Sequence, residues 1–324
     1  MHILNGLKRQ VLRVRSHFCG TALVLAYHRV AKLPTDPQFL CVSPSHFREQ
    51  LEVLRAGFRI LSLKQLADAL EHSRLPSRSI AVTFDDGYFD NLLEAKPLLQ
   101  RFEVPATFFI TTGYLGTQRE FWWDELERVL LVPTQAPAAL EIDLSSSKHR
   151  WDASTRDQRS LAYRELIELL RPLHPSIRER ALQSLRRQCG ISEQGRPTHR
   201  ALTPVEVTQL ITDGLLDAGA HTVSHAQLAF LPEDTQREEI LTSRRTLEEL
   251  TGRKVEYFAY PYGTFSDVGD VTRDIVRGAG FKLGCSTNRT CTTKGTNRWW
   301  LPRFGVRDCD GAEFARRLDA YFGM

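Results

Sequence analysis

Short apolar runs recur along this chain, each followed by a polar turn and a helix-spaced segment. That alternation limits the fold more than any other feature. Leu23–Tyr27 reads as a buried strand, and Ser43-Pro44 then opens a helix whose Phe47, Leu51 and Leu54 share one face before Gly57 closes it. Ile80–Phe84 is a second strand, followed by a helix over Asn91–Phe102, and Ala106–Ile110 is a third, entered through Pro105. The rhythm returns with a helix from Thr203-Pro204 to about Asp217, a short strand at Ala218–His221 and a charged amphipathic helix over Asp234–Thr251. Val255–Tyr260, Asp267–Ala279 and Phe281–Ser286 continue as strand, helix and strand. This order predicts a largely parallel α/β sheet or barrel with its helices outside.

Residues 118–200, approximately, break the rhythm. They are rich in Arg, Glu, Leu and Gln, show helical spacing in Leu161–Leu170 and Ile177–Leu185, and carry little strand signal. The reading is a mostly helical insertion on one loop of a barrel that spans 21–324. With 42% hydrophobic and 25% charged residues, the 324-residue chain is an ordinary globular one, with a single domain and a large excursion. A net charge of +4, without a basic stripe interleaved with aromatics, predicts no nucleic-acid partner. The six cysteines form no C-x-x-C pair and predict free thiols rather than a zinc ribbon or a disulfide framework.

Residues 1–20 place Leu4, Leu7, Val11 and Leu12 among Lys8, Arg9, Arg13 and Arg15. That pattern suits a short basic amphipathic helix, packed on its own domain or resting on an anionic membrane surface. The apolar stretch Ala22–Tyr27 is too short for an export signal or a membrane span. The expected location is therefore cytoplasmic, with peripheral contact at the inner membrane surface as the variant.

Three short stretches follow strand ends, where parallel α/β folds carry their chemistry. In "TFDDGYFD" two adjacent carboxylates, Asp85 and Asp86, precede Gly87. Asp-Asp-Gly is a common turn composition, yet two neighbouring carboxylates repel and are best kept where a cation or a proton is shared. In "GAHTVSH" His221 and His225 stand four apart, so that both imidazoles can share one face of a helical turn and close on one cation. Two histidines and a carboxylate make a facial ligand set with open positions for water and substrate. The third, "FAYPYG", ends in a tight turn at Tyr262-Gly263.

Together, TFDDG, HTVSH and PYG resemble the motifs of the polysaccharide deacetylase family (carbohydrate esterase family 4, the NodB-homology domain). They occur in that family's order from about Leu23 onward, the insertion excepted. The resemblance implies a distorted (β/α) barrel that removes acetyl groups from sugars with a divalent metal. It implies that Asp86, His221 and His225 hold the metal, Zn being the family's usual ion and Fe, Co or Ni also suiting such ligands. It makes Asp85 the general base and the Tyr262 amide an oxyanion donor.

The chain also departs from the family pattern. The arginine of the third motif is replaced by Ala259, and Arg303 in "WWLPRFGV" is the candidate substitute. The family's late catalytic histidine is missing, since no histidine follows Arg298. "LVLAYHRV" resembles the start of the permuted members, including the poly-N-acetylglucosamine deacetylases, which makes His28 the candidate acid. Trp122, Trp123, Tyr260 and Trp300 are candidates for contact with a sugar face, one of the two adjacent tryptophans serving to anchor the insertion.

The leading expectation is N-deacetylation of an acetamido sugar in a polysaccharide or in its lipid- or nucleotide-linked precursor. Its alternatives are an O-acetyl esterase, an amidase of a small non-sugar amide and a non-catalytic glycan-binding barrel.

Overall fold

The computed structural model describes residues 20–132, 137–144 and 147–323. The basic segment read at residues 1–20 therefore lies almost wholly outside the described residues. The elements run β1 (Thr21–Tyr27), β2 (Arg29–Val30), β3 (Cys41–Val42), α1 (Pro44–Gly57), β4 (Arg59–Leu61), α2 (Leu63–Glu71) and β5 (Ser79–Phe84). A π turn over Asn91–Ala95 leads into α3 (Lys96–Arg101), followed by β6 (Ala106–Ile110), α4 (Trp122–Leu130), β7 (Ala139–Leu144), β8 (Ser147–Asp152), α5 (Arg156–Leu170) and α6 (Pro175–Gln188). The chain continues through α7 (Pro204–Leu210), β9 (Leu216–Ala220), α8 (Glu233–Thr251), β10 (Tyr257–Ala259), α9 (Asp270–Gly278) and β11 (Leu283–Cys285). It ends with β12 (Thr292–Thr293), β13 (Phe304–Gly305) and α10 (Gly311–Phe322).

Nine strands form one curled sheet in the order β11-β10-β9-β6-β5-β1-β12, with β13 on β1 and β4 on β5. Pairs β1–β5, β5–β6, β6–β9, β9–β10 and β10–β11 are all parallel. Leu301 bridges Cys285 of β11, and three residues later Phe304–Gly305 pair with Leu25–Ala26 of β1. The stretch Leu301–Gly305 thus spans the gap between the two ends of the curl.

Every residue of β1 and β5 is buried, because the sheet packs against apolar groups on both faces. Leu23, Leu25 and Tyr27, with Val82, Phe84 and Phe108, pack outward against α1, α8 and α10. Ala22, Val24, Ala81, Phe109, Ala259 and Cys285 fill the inside of the curl, with α2 at one end. Helix starts follow their capping residues. Ser62 and Gln65 form a capping box on α2, Thr203 and Glu206 another on α7, and Ser43 caps α1 ahead of Pro44.

Several boundaries differ from the sequence reading. The helix read over 91–102 begins as a π turn, since Pro97 lacks the N–H that a regular ladder needs there. Helix α7 stops at Leu210 instead of near Asp217, and the chain reverses through Gly214 at φ 74°. The insertion carries its own core, with Trp122, Leu126, Leu140, Tyr163, Leu166 and Leu182 packed together. It is closed by an antiparallel bridge between Glu120 and Arg200. It is not only helical, because β7 and β8 form an antiparallel hairpin. Leu140 and Ile142 alternate there with exposed Glu141 and Asp143, a period-two pattern that the helix-rich composition around it obscured.

Candidate active site

The candidate residues gather where strands end. His28 follows β1, Asp85 and Asp86 follow β5, His221 follows β9, Tyr262 lies in the turn after β10, and the closing stretch supplies Arg303. His28, Asp85, Asp86, His221, His225 and Tyr262 line one cavity of about 180 Å³.

The turn after β5 sends the two carboxylates apart. Asp85 N–H continues the ladder to the Tyr27 carbonyl at 2.9 Å. Asp86 and Gly87 then take left-handed φ values of 73° and 88°, and a Cβ on Gly87 would meet Ile110 Cγ2 at 3.1 Å. Thr222 (φ 64°), His225 (φ 54°) and Tyr262 (φ 61°) are left-handed as well. Four of the eight described non-glycine residues with positive φ thus stand in or between the candidate residues. Backbone strain of this kind persists only where its surroundings hold it. Here the Asp86 carbonyl accepts from Thr111, the Thr222 carbonyl from Thr112 and the Val223 carbonyl from Gly113. Glu239 accepts from the Val223 and Ser224 amides, each at 2.9 Å.

Asp85 faces the inside of the barrel. Its two oxygens accept from Arg303 Nη1 at 2.7 Å and Nη2 at 2.8 Å, a bidentate pair. Arg303 is wholly buried and is held further by the Ser286 carbonyl and the Thr83 hydroxyl. Burial opposes ionisation of Asp85, but the Arg303 guanidinium, with His221 beside it, outweighs that and holds the carboxyl well below the usual carboxylate range. Asp86 turns the other way. Its Oδ1 lies 3.3 Å from His225 Nε2 and 3.6 Å from His221 Nε2. Burial works against its ionisation too, and His225 lowers its pKa in spite of it.

This trio fits a divalent cation on its own chemistry. His221 Nδ1 lies 2.7 Å from the Ala259 carbonyl, which can only accept, so Nδ1 carries the proton. Burial pushes the His221 pKa down to about 4, which leaves the ring neutral. The Nε2 lone pair therefore points at a carboxylate oxygen. Asp86 Oδ1 is buried and has no hydrogen-bond partner. Lone pairs facing one another in a buried place are stable only with a cation between them, and a carbonyl fixing the far nitrogen is the usual support of a metal-binding imidazole. Asp86→Ala, His221→Ala and His225→Ala are each expected to lower bound metal at least tenfold with the fold retained, read by elemental analysis and circular dichroism. Parental metal content in these variants removes the assignment.

His221 and His225 do not share a helical turn, contrary to the sequence reading. The segment after β9 is irregular, and its left-handed residues fold it back so that the two rings come within 4.9 Å. Both adjacent tryptophans line the cavity, and neither offers an open face. Trp123 is 5% exposed, donates to Tyr88 Oη at 2.8 Å and presses its edge on His225, whereas Trp122 is 2% exposed and sits deeper in the insertion core.

Tyr260 and Trp300 fall elsewhere, a correction to their reading as sugar contacts. Strand alternation puts Tyr260 on the face of Phe258, beneath the helices, with its hydroxyl on the Trp299 carbonyl at 2.8 Å. Trp300 packs against Tyr260 and Phe265, outside the cavity.

Gln38, Leu40, Ile167, Glu168, Arg171 and Thr287 also line the cavity. Nothing local in the sequence marks them, because folding of the insertion brings three of them there and the rest come from distant loops. A second buried trio, Asp124, Glu127 and His199, lies close enough to share an ion. Its oxygens are already engaged, Asp124 by Tyr88 at 2.6 Å and Glu127 by Arg196 at 2.9 Å. Burial and the charges of Arg29 and Arg196 push His199 down to about 3.

The family model described as polysaccharide deacetylase matches residues 72–137 and 184–284, together more than half of the chain. A poly-β-1,6-N-acetyl-D-glucosamine N-deacetylase of Staphylococcus aureus (strain MRSA252) is 21% identical over 315 residues, covering 93% of this chain and 84% of that one. Its counterpart in strain MSSA476 is 31% identical over 112 residues, 31% of this chain and 39% of the relative. Among solved structures, the Streptococcus pyogenes deacetylase PplD in complex with acetate has a TM-score of 0.61 at 19% identity, covering 93% of this chain and 99% of that one. IcaB from Ammonifex degensii has a TM-score of 0.61 at 20% identity, covering 94% and 98%. These structures share the fold.

Proposed function

Because this chain belongs to the polysaccharide deacetylase family, we propose that it is a metal-dependent N-deacetylase of an acetamido sugar within a glycan. The observation that carries the reading is the divergence of two adjacent carboxylates at one cavity. Asp85 is neutralised by a buried arginine, and Asp86 is turned to two histidines. A merely structural Asp-Asp turn has no use for either arrangement.

Asp86, His221 and His225 would hold the cation, with Zn²⁺ the first ion to test. Bound there, it would supply Lewis acidity, making water a stronger acid and drawing charge from the amide carbonyl. Asp85 accepts the proton of the attacking water. Arg303 keeps that carboxylate ionised and fixes its plane, so that one oxygen is presented in a constant direction. The Tyr262 N–H is engaged in no hydrogen bond among the described residues and belongs to a cavity-lining residue. It donates to the carbonyl oxygen as negative charge develops there. His28 gives a proton to the nitrogen as the C–N bond breaks, leaving acetate and the free amine.

His28→Ala separates that last role from a structural one. An amide nitrogen leaves poorly without protonation, whereas an activated aryl ester does not need it. The variant is expected to lose roughly a hundredfold or more in kcat on an N-acetyl sugar and far less on an aryl acetate. Equal small losses on both substrates leave His28 as a structural residue.

The reading is tested by incubating the metal-loaded protein with oligomers of β-1,6-linked N-acetylglucosamine, the sugar for which the staphylococcal relative is named, and with lipid- and nucleotide-linked N-acetyl sugars. Mass spectrometry is expected to find the loss of one acetyl group, matched by released acetate. No acetate from any of these overturns it.

A further inference from the structure

Behind Trp122 a second cavity of about 290 Å³ opens between α6, the turn at Gly113–Tyr114 and the Val223–Ser224 peptide. Arg178, in the first turn of α6, lines it and is 2% exposed. Its Nη2 donates to the Ser224 carbonyl at 2.8 Å, and its guanidinium carbon lies 5.0 Å from the centre of the Trp122 ring. Its Nη1 is buried with no hydrogen-bond partner among the described residues.

The other charges near the cavity are already matched. Arg119 and Arg186 share Glu125, Glu179 and the more exposed Glu193 between them. Glu239, beyond Ser224, spends its oxygens on the Val223 and Ser224 amides and the Ser224 hydroxyl. Arg178 itself pairs with no carboxylate among the described residues, and a buried cation in that state favours the arrival of an anion. Trp122 lines both cavities, and its buried Nε1, which stands beside the Tyr262 hydroxyl, completes no well-aligned hydrogen bond among the described residues. Indole and guanidinium nitrogens only donate. The orphaned atoms thus call for an acceptor of negative charge. Ser176 N–H at the start of α6 is already capped by His174 at 3.3 Å, so this helix adds the positive end of its dipole rather than free amides.

We propose that this cavity binds one phosphate group, free or carried on a sugar, against Arg178 Nη1 and Trp122 Nε1. The two donors come from different helices, α6 and α4, and so suit the diverging oxygens of a tetrahedral anion better than the plane of a carboxylate. The volume leaves room for an attached sugar.

The test is binding alone, and its outcome is independent of whether deacetylation is found. Inorganic phosphate and glucose 6-phosphate, which has no acetyl group, are titrated calorimetrically into the full chain at constant ionic strength, with chloride as the control. Saturable one-to-one binding is expected, weakened at least about tenfold in Arg178→Gln. Tighter binding of glucose 6-phosphate points to a phosphorylated glycan, and equal binding to free phosphate. Trp122→Phe keeps an aromatic face beside Arg178 but removes the N–H together with the rest of the five-membered ring; it is expected to weaken binding severalfold, which serves should Arg178→Gln fail to fold. The absence of saturable binding, an equal heat with chloride, or unchanged affinity in the variants overturns the proposal.

Discussion

Asp85→Asn is expected to lower kcat on an N-acetyl substrate by roughly 10²–10⁴-fold while bound metal stays at the parental level. That range is what a positioned general base contributes. The substitution preserves shape and removes the charge that accepts the proton. Asp86 and both histidines are untouched, and they face away from Asp85's partner, Arg303. Steady-state rates with elemental analysis on the same sample check this, at a temperature where circular dichroism shows the variant folded. A metal-loaded variant with parental turnover places the proton acceptor elsewhere.

Arg303→Met is expected to be the most destabilising single change at the site, at about 3–5 kcal/mol, the range for removing one partner of a buried ion pair. Arg303 is wholly buried and Asp85 is 4% exposed, so water cannot screen the loss. The pH dependence has a definite sign. In the parent, the lowered Asp85 pKa contributes stability that is present above its unfolded value of about 3.9 and is lost only as pH falls through the folded value. Without Arg303, burial is left to raise the Asp85 pKa, so the variant is penalised increasingly as pH rises past about 4. Denaturant melts of the metal-free proteins should show the gap between parent and variant widest near neutrality and narrowing toward pH 4. The acid limb of kcat/KM should move upward as well. A gap independent of pH means that the lost term is packing rather than charge.

How much was legible beforehand depends on how local the signal is. The parallel strands could be read because each is a continuous apolar run bounded by turn residues, as in Ile80–Phe84 and Ala106–Ile110. The gathering of Asp86, His221 and His225 could be read because such residue types follow strand ends. The pairing of Arg303 with Asp85 came from an absence, Ala259 standing where an arginine was expected, and no periodicity connects positions so far apart. The shape of the histidine turn was misread because a spacing of four fits both a helix and a reversal through left-handed residues. Tyr260 was misassigned although two-residue alternation from Phe258 places it under the helices. Arg178 was missed altogether, since an arginine in a charged amphipathic helix reads as a solvated one until the insertion folds over it.

The closure of the curl by Leu301–Gly305 also sets an order of assembly. Asp85 and Arg303 are 218 positions apart, among the most distant partners in the molecule, and such contacts form late because the intervening chain must first be ordered. As the chain leaves the ribosome, Asp86, His221 and His225 are all present before Arg303 is made. The three residues proposed to hold a cation can therefore come together while Asp85 still lacks its guanidinium partner. The guanidinium that offsets the burial of Asp85 is thus among the last parts of the site to arrive, when the final gap in the barrel is sealed.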